Sequence, residues 1–413
     1  MSRGARWATA TVFGAACLPA TAGAAPPFSA VDRPGPSLSV PASETTRALV
    51  CPTDLRAATR APVLLVSGTG VSPDVLFGGN WMQALRQRGI PYCSVRLPHD
   101  GLGDIQVAGQ YVVAAIRAMS AAAHRRVSVV GASQGGIVPR WALRFWPDTR
   151  RLVDDVVGLA PTNHGVPAGD IVARCAPQGC PPASMQQAAG SRFLQALNSR
   201  AETVPGISYT QIRSRDGELI LSRSAAASRA RESLSGRGRV TNVAIQDVCP
   251  NDHSGHAETG TLSNTAWAIA LDALDHDGPA DIGRVPAATC ATPLVPGVAL
   301  APPQPAPPAP DPGAPSVLRE PRIASYVFDR RRPHASVAPG RLTAGRRVRL
   351  RIRVTTAGGD PLPGARIAVL GRVVRSRGDG RATVRVRPVR RGRQRLRITA
   401  DGLPAATVVV AVG

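Results

Sequence analysis

The sequence predicts an α/β protein built on a mostly parallel sheet, followed by a small all-β module. Three observations carry that expectation. Short apolar runs at 61–66, 92–97, 127–130, 156–160, 208–212 and 240–245 have the length and composition of buried strands. Stretches with helical spacing at 104–123, 134–146, 185–198 and 264–275 alternate with them, which argues for a parallel sheet covered on both faces. Beyond residue 321 runs of period-two alternation appear, with Arg between apolar residues at 348–354 and 383–387.

Taken in order, Arg3 and Arg6 form a basic start, 7–19 a short apolar run, and Ala22-Gly23-Ala24 a small-residue cleavage site, so 1–24 reads as a secretory leader. Cys17 is a poor lipid-anchor site because Gly14-Ala15-Ala16 lacks a large aliphatic residue. No apolar run reaches the ~18 residues a membrane span requires. Removal of the leader leaves Cys51, Cys93, Cys175, Cys180, Cys249 and Cys290 in an oxidising compartment. Three disulfides are expected, with about 15 pairings open. Residues 25–47 read as a lead-in segment and 48–296 as the α/β body. The Pro/Ala-rich 297–321 reads as an extended spacer, and 322–413 as an Arg-rich antiparallel sandwich.

The 413 residues carry a formal charge of +23, and all 50 basic residues are Arg. Residues 1–316 hold 27 Arg against 22 acids, whereas 317–413 hold 23 Arg against 5 acids. The basic module would be drawn to anionic surfaces by an attraction that salt weakens. The apolar content, 43%, and the chain length exclude a wholly disordered protein.

Chemistry concentrates at Gly131-Ala132-Ser133-Gln134-Gly135, where the apolar run 127–130 meets a helical stretch. A serine on a sharp strand-to-helix turn needs small neighbours, because the strained backbone brings the flanking residues close together. Its hydroxyl titrates far above neutral pH, so it needs a base, and the base needs an acid to orient it. His253, His256, His276 and His334 follow Ser133 at suitable distance; His276 and His334 read as surface residues, which leaves His253 or His256. Asp216, in the loop after 208–212, is the candidate acid. Ser67-Gly68-Thr69-Gly70 follows the first central strand and, with the N–H of Gln134, would supply oxyanion donors. A Walker-type phosphate loop is excluded, since no Gly-Lys-Ser/Thr follows.

Taken together, 62–70, Asn80-Trp81, Ser133-Gln134-Gly135-Gly136 with Trp141 and Phe145-Trp146-Pro147, and Leu159-Ala160-Pro161 resemble a known family. It is that of the α/β-hydrolase lipases similar to lipase B of Candida antarctica and its bacterial relatives, and the resemblance covers about 48–292. It implies Ser133 as nucleophile, Asp216 as acid, Thr69 and Gln134 as oxyanion donors, and His256 rather than His253 as base. It further implies Cys51 paired with Cys93 and Cys249 with Cys290, leaving Cys175 and Cys180 as a local pair. Thr162 stands where the fungal lipase has an acid, and 163–187 is a segment expected to rim the acyl pocket differently.

The resulting expectation is a secreted serine carboxyl-ester hydrolase acting on lipid-like esters, with no metal or organic cofactor. Its expected partners are the ester substrate and an anionic cell-wall or membrane surface, not nucleic acid. An acyltransferase or polyester depolymerase on the same scaffold, or a non-catalytic surface-binding protein, are the alternatives.

Overall fold

The computed structural model describes residues 28–413 apart from 176, 217–224, 299–312, 330, 331, 357, 358, 360, 401 and 402. The segment read as a leader, with Cys17, most of the Pro/Ala-rich stretch and parts of the turn signals at 358–360 and 401–402 lie outside the described residues. Two compact units are present, one spanning Phe28–Phe328 and the other including Asp329–Gly413.

The first unit is an α/β-hydrolase fold. Its strands are β1 (Leu49–Val50), β2 (Val63–Val66), β3 (Tyr92–Val95), β4 (Val127–Ala132), β5 (Val153–Leu159), β6 (Ser208–Arg213) and β7 (Arg239–Ala244). They lie in the order β1-β3-β2-β4-β5-β6-β7. Only the β1–β3 pairing is antiparallel. Because both faces of β2 are covered, all four of its residues are buried: Leu64 and Val66 in one core, Val63 and Leu65 in the other. The helices are α1 (Ala42–Ala48), α2 (Pro73–Phe77), α3 (Trp81–Gln87), α4 (Ile105–Ala123), α5 (Val138–Phe145), α6 (Ala168–Cys175), α7 (Pro182–Gln186), α8 (Arg192–Leu197), α9 (Ala225–Glu232), α10 (His256–Thr261) and α11 (Asn264–Asp275). Trp141 of α5 stacks on Phe193 of α8 at 4.5 Å in the first core, and Trp81 of α3 meets Trp267 of α11 edge-on in the second. The strand order reverses between β2 and β4, and ligands of open α/β sheets bind outside the carboxyl ends of strands at such a reversal.

Three departures from the sequence reading have physical causes. The helix expected over 185–198 is broken into α7 and α8, because Gly190 takes a φ of +83° between them. The lead-in segment is part of the fold: Trp146 Nε1 donates to the Pro36 carbonyl at 2.8 Å, and the Gln110 carboxamide accepts from the Ser39 N–H at 2.6 Å. Finally, residues 322–328, read as the start of the second domain, pack in the first unit. Gln106 of α4 donates to the Arg322 carbonyl and accepts from the Ala324 N–H, and Ile323, Val327 and Phe328 enter the core. The preceding residues are bound as well: Val317 exchanges two backbone hydrogen bonds with Cys180, and the Glu320 carboxylate accepts from the N–H groups of Arg192 and Phe193 at the start of α8. The three disulfides are Cys51–Cys93, Cys175–Cys180 and Cys249–Cys290, the pairing that the resemblance implies together with the local pair.

A buried carboxyl in β5 gives this unit a pH dependence. Asp155 accepts a 3.1 Å hydrogen bond from Ser128 Oγ, and burial, with Asp154 adding, pushes its pKa up to about 7, against the pull of Ser128, Arg126 and Arg239. Between the unfolded value near 4 and the folded value, the native state keeps a proton that the unfolded chain releases, so stability falls as pH rises through this window. The loss is roughly 4 kcal/mol and is complete above pH 7. Asp155→Asn is therefore expected to be more stable than the parent at pH 8 in guanidinium unfolding, with the advantage gone at pH 4. A variant less stable at both pH values would contradict this account.

The second unit contains β8 (His334–Ala338), β9 (Arg341–Leu342), β10 (Val348–Thr355), β11 (Arg366–Val369), β12 (Arg372–Arg375), β13 (Arg381–Val386), β14 (Gly392–Thr399) and β15 (Ala406–Val412). They form a three-stranded sheet, β13-β10-β8, and a five-stranded sheet, β12-β11-β14-β15-β9. Leu350, Ile352, Val354 and Val384 share a core with Ile367, Leu396, Ile398 and Val410. Arg349, Arg351, Arg353 and Arg385 occupy the alternate, exposed positions, as half-burial of an alternating strand requires.

Candidate active site

β4 ends at Ala132, and the chain turns at once into a short helical segment, Ser133–Gly136. Ser133 sits at the turn with φ +55°, a conformation that costs a residue with a Cβ about 1–2 kcal/mol. The glycines beside it are demanded by contact. A Cβ on Gly131 would lie 2.0 Å from the Gly135 carbonyl oxygen, one on Gly135 2.1 Å from that of Val66, and one on Gly136 2.5 Å from Pro161 Cβ. The turn is thereby pressed against the end of β2, and a Cβ on Gly68 would stand 3.3 Å from that of Ser133.

Ser133 opens into a cavity of about 380 Å³. Its lining includes the apolar Val71, Leu76, Val166 and Ile171 and the polar Thr69, Thr162, Gln187 and His256. Val166, Ile171 and Cys175 come from the segment expected to form the rim. Among the described residues no cluster of His, Cys, Asp or Glu has the makings of a metal site, and no helix is long and apolar enough to cross a membrane.

The oxyanion candidates are linked by an uncharged hydrogen-bond network. Thr69 Oγ1 donates to Gln134 Oε1 at 2.6 Å. Gln187 Nε2 donates to Thr69 Oγ1 at 2.9 Å and to Gln134 Oε1 at 3.1 Å. Thr162 Oγ1 donates to Gln187 Oε1 at 3.0 Å, which fixes the orientation of that amide. Gln134 follows Ser133 at the start of a helical turn, where backbone N–H groups lack intrahelical partners. Gln187 did not emerge from the sequence, because nothing local distinguishes it from its neighbour Gln186; only the fold carries it to Thr69.

The two histidine candidates separate. His256 is the first residue of α10 and lines the cavity with Ser133. Its Nδ1 is enclosed without a hydrogen-bond partner among the described residues, and burial pushes its pKa below the ordinary value, with Glu258 acting in the opposite direction. An imidazole in that setting is neutral near pH 7 and able to accept a proton. His253 is 80% exposed, lies outside the residues lining this cavity, and pairs through Nδ1 with Asp216 Oδ2 at 2.9 Å. The structure thus brings Ser133, Thr69, Gln134 and His256 to one place, and pairs Asp216 with His253 instead of His256. Asp216 immediately precedes 217–224, which lie outside the described residues. His276 is held by Asp272 at the end of α11 and His334 is exposed on β8, matching the surface reading of both.

Comparison with known proteins bears out the resemblance. Residues 110–265 match the family model described as Lipase (class 2). Lipase B of Pseudozyma antarctica is 32% identical over 187 residues, which are 45% of this chain and 54% of that protein, so the match spans about half the length of this curated relative. The crystal structure of Aspergillus fumigatus lipase B superposes with a TM-score of 0.63 at 26% identity, covering 74% of this chain and 77% of the other.

Proposed function

We propose, from a first unit that resembles the lipase B group, that this protein hydrolyses carboxylic esters of the lipid type through an acyl-enzyme on Ser133. The observation that carries the reading is the convergence of a serine in strained backbone, Thr69 with the Gln134 it is hydrogen-bonded to, and an uncharged imidazole at one mostly apolar cavity. Ser133 Oγ attacks the ester carbonyl while His256 takes its proton, then returns it to the leaving alcohol; water repeats the sequence to release the acid. Thr69 and Gln134 N–H groups hold the oxyanion, each such donor contributing about 3 kcal/mol in the transition state. When the Thr69 hydroxyl turns from Gln134 Oε1 to the oxyanion, Gln187 Nε2, already within 3.1 Å of that oxygen, keeps it satisfied.

Asp216 is the acid assigned by chain order and by resemblance, and the enclosed Nδ1 of His256 is the atom it has to reach. An apolar lining that includes Val71, Leu76, Val166 and Ile171 suits an acyl chain. Three disulfides fit a protein exported to an oxidising compartment. Labelling the protein with a fluorophosphonate and mapping the modified peptide tests the reading: attachment at Ser133 is the expected outcome, and a folded protein that resists the reagent would refute it.

A further inference from the structure

We infer that one end of the Asp329–Gly413 unit is a docking tip for anionic phospholipid bilayers, a role separate from the ester chemistry. β10 and β13 run antiparallel with Val348 opposite Val386, so the loops 343–347 and 387–391 leave the unit at the same end. The two loops are fastened together: the Gly345 N–H donates to the Pro388 carbonyl at 2.8 Å, and Arg387 Nε donates to the Gly345 carbonyl at 2.7 Å. Pro388 is buried, whereas Val389 beside it is 83% exposed, more than any other large apolar side chain described. Around it stand Arg346, Arg347, Arg387, Arg390 and Arg391, all exposed, so half of these ten loop residues are cationic.

Neither loop contains an acidic residue, and Asp379 lies in the turn before β13, at the opposite end of that strand. A single exposed valine is ordinary, and so is a basic patch. An apolar tip ringed by guanidinium groups on a fastened loop pair is complementary to a surface that offers phosphates at one depth and hydrocarbon just beneath. Arginine suits the phosphate layer because its planar fork binds phosphate oxygens in pairs.

A soluble polyanion fits less well. Residues 329–413 contain no Phe, Tyr or Trp, the side chains on which bases and sugar rings stack best. A chain polyanion would also make no use of Val389.

The test is co-sedimentation of the full chain with phosphatidylcholine vesicles that contain or lack phosphatidylglycerol, alongside retention on immobilised polyphosphate. Binding to the anionic vesicles and little to the neutral ones is expected. Each tip arginine contributes about fivefold in affinity, so Arg390→Gln combined with Arg391→Gln is expected to weaken vesicle binding about 25-fold. Val389→Asn is expected to weaken vesicle binding several-fold while leaving polyphosphate retention unchanged. Two results would overturn the inference: retention on polyphosphate without vesicle binding, or vesicle binding that ignores the tip variants and is lost instead in Arg351→Gln with Arg353→Gln on the sheet face.

Discussion

Ser133→Ala is expected to lower kcat/KM toward a p-nitrophenyl ester by roughly 10⁴- to 10⁶-fold while the unfolding midpoint stays near that of the parent. Alanine pays the same backbone cost as serine at the +55° φ of this turn, so stability is not the variable being changed. His256→Ala is expected to be about as damaging, and the double variant no worse than either single one, because the two groups act as a unit. His253→Ala is expected to retain turnover close to the parent, since its ring is exposed and lies outside the cavity of Ser133. Asp216→Asn is expected to cost about 10⁴-fold if this carboxylate orients the base. The reverse result for the two histidines, His253 essential and His256 dispensable, would move the base to the residue already paired with Asp216.

The second large effect concerns packing. Gly135→Ala is expected to destabilise the first unit by about 3 kcal/mol or more, because the new methyl would stand 2.1 Å from the Val66 oxygen and 2.9 Å from that of Ser67. Both are backbone atoms at the end of β2, which is paired to β4 through Val66 and Gly131, so neither gives way cheaply. Gly79→Ala is the matched control: nothing lies within 4 Å of its added methyl, and a change within about 0.5 kcal/mol is expected in denaturant unfolding. Equal stability of the Gly135 variant and the control would mean that the turn is looser than its contacts indicate.

The strands and long helices were legible because burial on both faces leaves continuous apolar runs, as in β2 and β4, and because α4 repeats its apolar residues over 19 positions. Shorter elements escaped: α2 and α3 occupy five and seven residues, too few for periodicity to register. At the site, Ser133 and Thr69 were legible since local turn chemistry marks them. Gln187 was not, because its role depends on a contact across 118 residues with Thr69. The pairing of Asp216 with His253 rested on the path of two loops, which no local pattern encodes. The extent of the first unit was misjudged because proline-rich composition dominates 297–321 and hides a short aromatic and aliphatic run just beyond it.

That run, with residues 317–321 before it, works as a strap on the first unit. Tyr326 lies against Phe145 and Trp146 at 5.7 and 5.2 Å, and its hydroxyl accepts from Trp141 Nε1 at 3.1 Å. Two ways of shortening the gene product are therefore unequal. Ending it after Phe328 preserves every one of these clasps, whereas ending it ahead of the proline-rich stretch strips the cover from three large aromatic rings and leaves an exposed apolar patch on the first unit.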